Sequence, residues 1–240
     1  MDVYSDYSDS ICWFEQNWIG QIIECENSTS WKIVQKLGEH ETRWTQDDFE
    51  KSKFYSQSCC IFVCEDMKNS TEAIMKVRMQ IPYEGSRYHS PERRASQAEP
   101  DQRGQSSREI KALDILSKAE CFCTPKLRGW KHETQSCNDL VPGGFLDYTV
   151  MERLEGKTLS PWWVDSLNDD HKQKLQTAFK TSYIECLNLN FLNLDHRAQN
   201  LIWNEEKGIC YIIDWESWIQ ANSYTDWNDD IYSMWDLELC

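Results

Sequence analysis

A chain of 240 residues is long enough to close one sizeable core, or two small lobes that share a cleft. Its formal charge of −15 and isoelectric point near 4.7 argue against a general nucleic-acid or anionic-membrane binder, because a phosphate surface would repel it. No apolar run reaches bilayer-spanning length, and the acidic residues 1–9 lack the basic and apolar regions of a secretory signal.

Residues 1–29 read as an N-terminal extension. Trp13, Phe14, Trp18 and Ile19 recur near helical spacing, which predicts a short amphipathic helix capping the first small lobe. Residues 30–43 read as a strand that meets one glycine, Gly38, followed by Glu39 and Glu41. Residues 58–80 form the clearest hairpin of the first half. Cys59 to Glu65 is apolar and β-branched, residues 66–70 are turn-forming, and Thr71 to Met79 is a second strand. Within that strand Lys76 stands between apolar neighbours. A buried ammonium is costly without an anionic partner, so Lys76 either faces solvent or points into a charged cleft.

Residues 81–107 change character. Pro82, Gly85, Pro91, Pro100 and Gly104 interrupt them and polar residues dominate, which predicts a mobile loop over about 82–106. Arg87, Arg93, Arg94 and Arg103 lie on it, either solvated or guiding an anionic partner. Residues 106–119 are helical, with Ser106 or Ser107 as cap and an apolar stripe of Ile110, Leu113 and Leu116. Glu109 sits beside that stripe in the first turn, where a carboxylate also suits the helix dipole. An apolar strand over 145–152 ends in Met151-Glu152-Arg-Leu154-Glu-Gly156. A helical pair occupies 161–190. Its longer member runs from about 169 to 189 and carries a stripe of Leu175, Phe179, Tyr183, Cys186 and Leu187.

The stretch from Asn193 to Trp218 organises the chain. Leu201 to Trp203 and Ile209 to Ile213 are short apolar runs around a polar turn ending in Gly208, which is a hairpin signature. A hairpin brings its open ends together, so Asp195, Asn200 and Asp214 should converge. Three such oxygen donors suit a hard cation such as magnesium; the plain alternative is two exposed carboxylates flanking an ordinary hairpin. After Trp218 a single short helix is expected from Asp229, and the tryptophans of this half read as packing residues.

The eleven cysteines lie mostly in apolar segments, among them Cys59, Cys60, Cys64, Cys186 and Cys210, with no Cys-x-x-Cys pair. Reduced thiols in a cytoplasmic or nuclear protein are expected. Zinc binding by Cys121 and Cys123 with Cys137 or His132 lacks the usual knuckle spacing. The sequons at Asn27 and Asn69 would matter only in a secreted chain.

Asp195-x-x-x-x-Asn200, a hairpin, and then Ile-Ile-Asp214-Trp-Glu resembles the catalytic and metal-binding loops of the protein kinase-like superfamily. The details are nearest to its aminoglycoside phosphotransferase-like and small fungal kinase-like branches. Ala73-Ile-Met-Lys76-Val resembles the lysine strand of kinases, Pro125 to Gly129 the turn into the next strands, and Met151-Glu152-Arg-Leu154 the hinge between lobes.

The resemblance implies an α+β, bilobal kinase-like domain over 30–240. A small antiparallel-sheet lobe would span about 30–150 and a truncated, mainly helical lobe about 155–240. It implies ATP and Mg2+, with Lys76, fixed by Glu109, holding the nucleotide phosphates and backbone groups of Met151, Glu152 and Leu154 meeting the adenine edge. Asp195 would be the catalytic base, and Asn200 and Asp214 the magnesium ligands. The implied activity is transfer of the γ-phosphate to a protein or small-molecule hydroxyl, with no nucleic-acid or membrane partner.

Residues 30–43 would then hold the first strand and the nucleotide-covering turn. Two features depart from the pattern. Gly38 is the lone glycine there, with Glu39 and Glu41 set to repel a triphosphate. Asn193 stands where the family usually has a supporting His, and the adjacent His196 is on the wrong side to replace it. With the short C-terminus, these departures keep open a catalytically weak pseudokinase serving as a nucleotide- or protein-binding module. An acidic α+β interaction protein without a nucleotide site is the third reading.

Overall fold

Alternation along one strand sets the architecture. In β4 (Glu72–Gln80), Ala73, Met75, Val77 and Met79 are buried on one face, and Ile74, Lys76 and Arg78 take the other. The structure, a computed structural model, describes residues 11–100, 104–221 and 226–238. The acidic first ten residues and Arg103 lie outside the described residues.

Around β4 lies a six-stranded antiparallel sheet. Its order is β1 (Ile22–Glu24), β2 (Ser30–Thr42), β3 (Gln57–Asp66), β4, β6 (Phe145–Glu152) and β5 (Leu127–Thr134). The hairpin expected over 58–80 is β3 and β4. The sheet curls until the turn after β1 meets β5, where the Glu26 N–H donates to the Trp130 carbonyl at 2.9 Å. Gly129 belongs to this closure rather than to a turn. A Cβ there would lie 2.8 Å from Thr29 Oγ1 and 2.9 Å from Cys25 Sγ.

One core fills the face bearing Met75 and Val77, joined by Ile33, Phe62, Tyr148 and Val150. The N-terminal segment covers it with Trp13 and Phe14, and Trp18 stacks on Phe62. The helix expected from Trp13, Phe14, Trp18 and Ile19 is a single 3-10 turn, Gln16–Trp18. The flanking Glu15 and Ile19 are extended, so each aromatic ring reaches the sheet individually.

The strand from Ser30 does not turn at Gly38. Gly38 pairs with Ile61 inside β2, past an irregularity at Lys36, and pairing continues to Thr42. The connection to β3 instead contains α1 (Gln46–Ser52), closed by a reciprocal capping box between Thr45 and Asp48.

The segment expected to be a mobile loop over 82–106 carries α2 (Pro91–Ala95) and is tied to the sheet end. The Gln97 side chain is buried and accepts from the Tyr83 N–H at 3.0 Å. Gln80 donates to the Gln97 carbonyl at 2.7 Å and accepts from the Glu99 N–H at 2.9 Å. Amide hydrogen bonds, not apolar burial, hold it. Arg94 donates to the Asp139 and Leu140 carbonyls, and Arg87 lies over the Trp13 ring, so neither guanidinium is merely solvated.

α3 (Gln105–Lys118) begins directly after Gly104, a turn position ahead of the expected serine caps. Its Ile110, Leu113 and Leu116 stripe is buried as expected. Leu113 and Leu116 enter a second core with Leu175, Phe179, Leu201, Ile212, Trp215 and Trp235. This half comprises β7 (Lys157–Thr158), α4 (Pro161–Asp165), α5 (Asp169–Asn188), β8 (Phe191–Asn193), β9 (Leu201–Asn204), β10 (Ile209–Ile212), β11 (Trp218–Gln220) and α6 (Asp230–Met234). Ser160 and Asn168 cap the helical pair. Strands β7, β9 and β10 form one small sheet, and β8 with β11 another. The architecture is therefore mixed α and β with an antiparallel main sheet. Among the described residues no helix is long and apolar enough to cross a membrane.

Candidate functional site

The β9–β10 hairpin does what its sequence predicts. Its turn closes at Gly208 with φ +64°, and Leu201 pairs with Ile212 at the open end. One step further the Ile213 N–H donates to the Asn200 carbonyl at 2.9 Å. Asn200 and Asp214 are thus drawn to one edge. The Asn200 amide reaches back to Asp195, donating to its carbonyl at 3.0 Å and its carboxylate at 2.9 Å.

Asp214 adopts the left-handed conformation, φ +59°, which Asp tolerates better than most residues. Asn193 braces it. Its amide donates to the Ile213 carbonyl at 3.2 Å and the Asp214 carbonyl at 3.0 Å, while its oxygen accepts from the Asp195 N–H at 2.9 Å. A single buried amide therefore ties the two aspartate segments together. His196 is turned away, with its ring 5.4 Å from that of Trp235.

Across from this edge stands Lys76. Its ammonium donates to Glu109 at 2.9 Å, Asp214 at 2.9 Å and Glu216 at 2.8 Å. Of the two options open for Lys76, the charged cleft is the one realised. Burial alone would lower its pKa, but the three carboxylates outweigh burial and hold it well above the ordinary value. Burial pushes the Glu109 carboxyl up to about 7, with Lys76 pulling against it. Glu216 goes the other way. Burial opposes the shift, yet Lys76 and Arg78 together hold its carboxyl down at about 2. Arg78 pairs with Glu216 and donates to the Gln105 side chain at 2.7 Å.

These groups line one cavity of about 530 Å³. Its apolar wall includes Leu37, Ile61, Ile74, Met151, Leu154 and Ile213, and Asp195, Asn200 and Asp214 close its polar end. Glu152 lines it too, and among the described residues no hydrogen bond reaches the Leu154 N–H. Glu39 and Glu41 do not face it. Glu39 accepts from the Trp13 N–H at 2.7 Å and pairs with Lys36 at 2.6 Å, and Glu41 pairs with Arg43 at 2.7 Å. His40 and Thr42, which alternate with those acids, face the cavity instead, and the irregularity between Lys36 and Gly38 lets Leu37 join them. The repulsion expected from those acids is directed elsewhere.

Glu109, Asp214 and Glu216 converge closely enough to hold a cation, but the Lys76 ammonium already bridges them. The oxygens suited to a hard divalent ion are those of Asp214, Asn200 and Asp195 at the open end. Three contributors were not singled out from the sequence: Arg78, Glu216 and Arg197. Arg197 pairs with Asp195 and lies 4.0 Å from Asp214 Oδ2. Each stands two residues from a residue that was singled out, and that spacing was their available signal.

Among the described residues, the group that includes Cys121 and Cys123 is completed by Cys186, not by Cys137 or His132. Cys137 is exposed, and His132 pairs with Asp147 at 2.7 Å.

No family model matches the sequence, and no curated protein does. Among solved structures the chain is similar to the Cydia pomonella granulovirus kinase PK-1, at 12% identity and a TM-score of 0.47. The match covers 82% of this chain and 55% of that one, so the chain spans about half the length of that kinase.

Proposed function

We propose that the chain is an ATP-dependent phosphotransferase with a bilobal, protein kinase-like organisation and its site in the cleft between the lobes. One observation carries the reading: a strand lysine, Lys76, bridges a helix glutamate, Glu109, and the post-hairpin Asp214 at 2.9 Å each, inside a cavity of ligand size. Phosphoryl transfer asks for positioning and charge neutralisation more than covalent chemistry.

In this reading Lys76, steadied by Glu109, holds nucleotide phosphates. The apolar wall takes the base, and the Leu154 N–H, without a partner among the described residues, meets its polar edge beside Met151 and Glu152. Asp214 and Asn200 hold magnesium, which neutralises phosphate charge when bound; their oxygen donors suit it. Asp195 orients an acceptor hydroxyl, on a protein or a small molecule, and takes its proton.

A second reading, a binding module with weak catalysis, is favoured by the Arg197 guanidinium pairing with Asp195 and by Glu216 drawing on Lys76. Thermal unfolding with Mg2+ and a panel of nucleotides, followed by ADP formation, tests both. A nucleotide-dependent rise in Tm with turnover lost in Asp195→Ala is expected for the enzyme. A rise without turnover selects a nucleotide-binding module, and no rise with any nucleotide rejects the enzyme and favours a protein-binding module.

A further inference from the structure

Away from the cleft, Cys121, Cys123 and Cys186 meet in the second core, all essentially inaccessible to solvent. The sulfurs of Cys121 and Cys123 are 3.5 Å apart, those of Cys123 and Cys186 are 3.7 Å apart, and all three lie within 4.8 Å of one another. These separations are far beyond a disulfide bond of about 2.05 Å. They match sulfurs sharing one ion: with metal–sulfur bonds of about 2.3 Å, ligand sulfurs sit about 3.8 Å apart in a tetrahedron and about 4.0 Å apart in a planar triangle.

A second observation points the same way. The hydroxyls of Thr124 and Ser182 are buried, at 2% and 0% exposure; that of Thr124 lies against the Cys121 sulfur, and among the described residues that of Ser182 has no hydrogen-bond partner. Ser182 is one helical turn before Cys186. A buried hydroxyl left without a partner is rare and calls for a reason. The Lys126 ammonium donates to the Cys121 carbonyl at 2.9 Å, which helps fix the backbone that carries this thiol.

We propose that Cys121, Cys123 and Cys186 bind one thiophilic d10 ion, zinc(II) or copper(I), as a closed structural site, with the Thr124 hydroxyl available as a fourth donor. The thiol protons leave to solvent as the ion enters. Burial keeps water out of the coordination shell, so the site stabilises rather than catalyses. Its position is consequential. The Cys123 carbonyl accepts from the Ile212 N–H at 2.9 Å, so the ion fastens α5 and the α3–β5 connection to the strand that delivers Asp214.

The test uses the full chain, purified under reducing conditions without chelator. Elemental analysis should find about one zinc or copper ion per chain and say which. Cobalt(II) reconstitution should give a thiolate-to-metal charge-transfer band, and a strong chelator should lower Tm. Cys123→Ser should lose the ion and the band, while Cys12→Ser and Cys137→Ser, at exposed thiols, should keep both. If Cys123→Ser fails to fold, the cobalt spectrum and chelator response of the unaltered chain decide. Absence of ion and band, a Tm indifferent to chelator, or a metal content that follows Cys12 or Cys137 overturns the site.

Discussion

Glu216 holds two buried cations at once, and that makes it more than a neighbour of Asp214. Arg78 is 3% exposed and has Glu216 as its carboxylate, whereas Lys76 keeps Glu109 and Asp214 as well. Removing one partner of a buried pair leaves the other charge uncompensated. Glu216→Ala should therefore destabilise by about 3 kcal/mol, read from the denaturant midpoint, with Arg78 as the group left stranded. A loss near zero would mean that water reaches Arg78 freely. Glu109 gives a pH signature. Its carboxyl is raised from 4.5 to about 7, chiefly by burial. Between those values the folded chain holds a proton that the unfolded chain has released, so stability falls as pH climbs through that window. Glu109→Gln cannot titrate and should flatten the decline by about 2 kcal/mol between pH 5 and 8. Glu216, held at about 2, works in the opposite sense and only in acid: its stabilisation is present above 4.5 and lost as pH falls toward 2. Parallel pH profiles for the wild type and Glu109→Gln would refute the assignment.

Between residues and molecule, the elements divide by how openly the chain advertises them. The β3–β4 and β9–β10 hairpins were legible because period-two alternation and turn residues coincide in them, and the convergence of Asp195, Asn200 and Asp214 followed from hairpin geometry alone. The stripe of α3 was legible for the same kind of reason. Residues 82–99 were not, because Gln80 and Gln97 secure them by amide hydrogen bonds that leave no apolar pattern. Nor was the continuation of β2 through Gly38, since a glycine inside a paired strand looks like any other glycine. The partner of Cys121 and Cys123 was hidden by distance, Cys186 being brought to them only by the packing of α5. The link from β6 to β7 rests on Gly156, at φ +135° with a would-be Cβ 2.7 Å from the Trp203 carbonyl oxygen. Neither the conformation nor the space admits a side chain. Gly156→Ala should cost about 2 kcal/mol and lower Tm by roughly 5 °C for a chain of this size; an unchanged melting curve would show that the segment can rotate away from β9.

For the molecule as a whole, charge decides what the cleft will accept. Five carboxylates, Glu109, Glu152, Asp195, Asp214 and Glu216, and four cations, Lys76, Arg78, Arg153 and Arg197, line the cavity, and the chain as a whole carries a formal −15. A polyphosphate approaching without a counter-ion meets repulsion both near and far. Under the phosphotransferase reading, nucleotide binding therefore depends on a divalent ion at Asp214 and Asn200, and chelation should abolish the nucleotide-induced rise in Tm. With Mg2+ restored and nucleotide at about a hundred times its Kd, stabilisation should return to about 2.7 kcal/mol. The distant part of the repulsion is open to screening, because the Debye length shrinks to about 10 Å at 0.1 M salt. The contacts to buried Lys76 are screened far less. Raising ionic strength from low to physiological values should thus tighten Mg-nucleotide binding by titration calorimetry, the reverse of the usual behaviour of a basic phosphate-binding surface. Binding that weakens with salt would place the attraction on the exposed Arg197 rather than on Lys76, and the arrangement of roles proposed for the cleft would have to be abandoned.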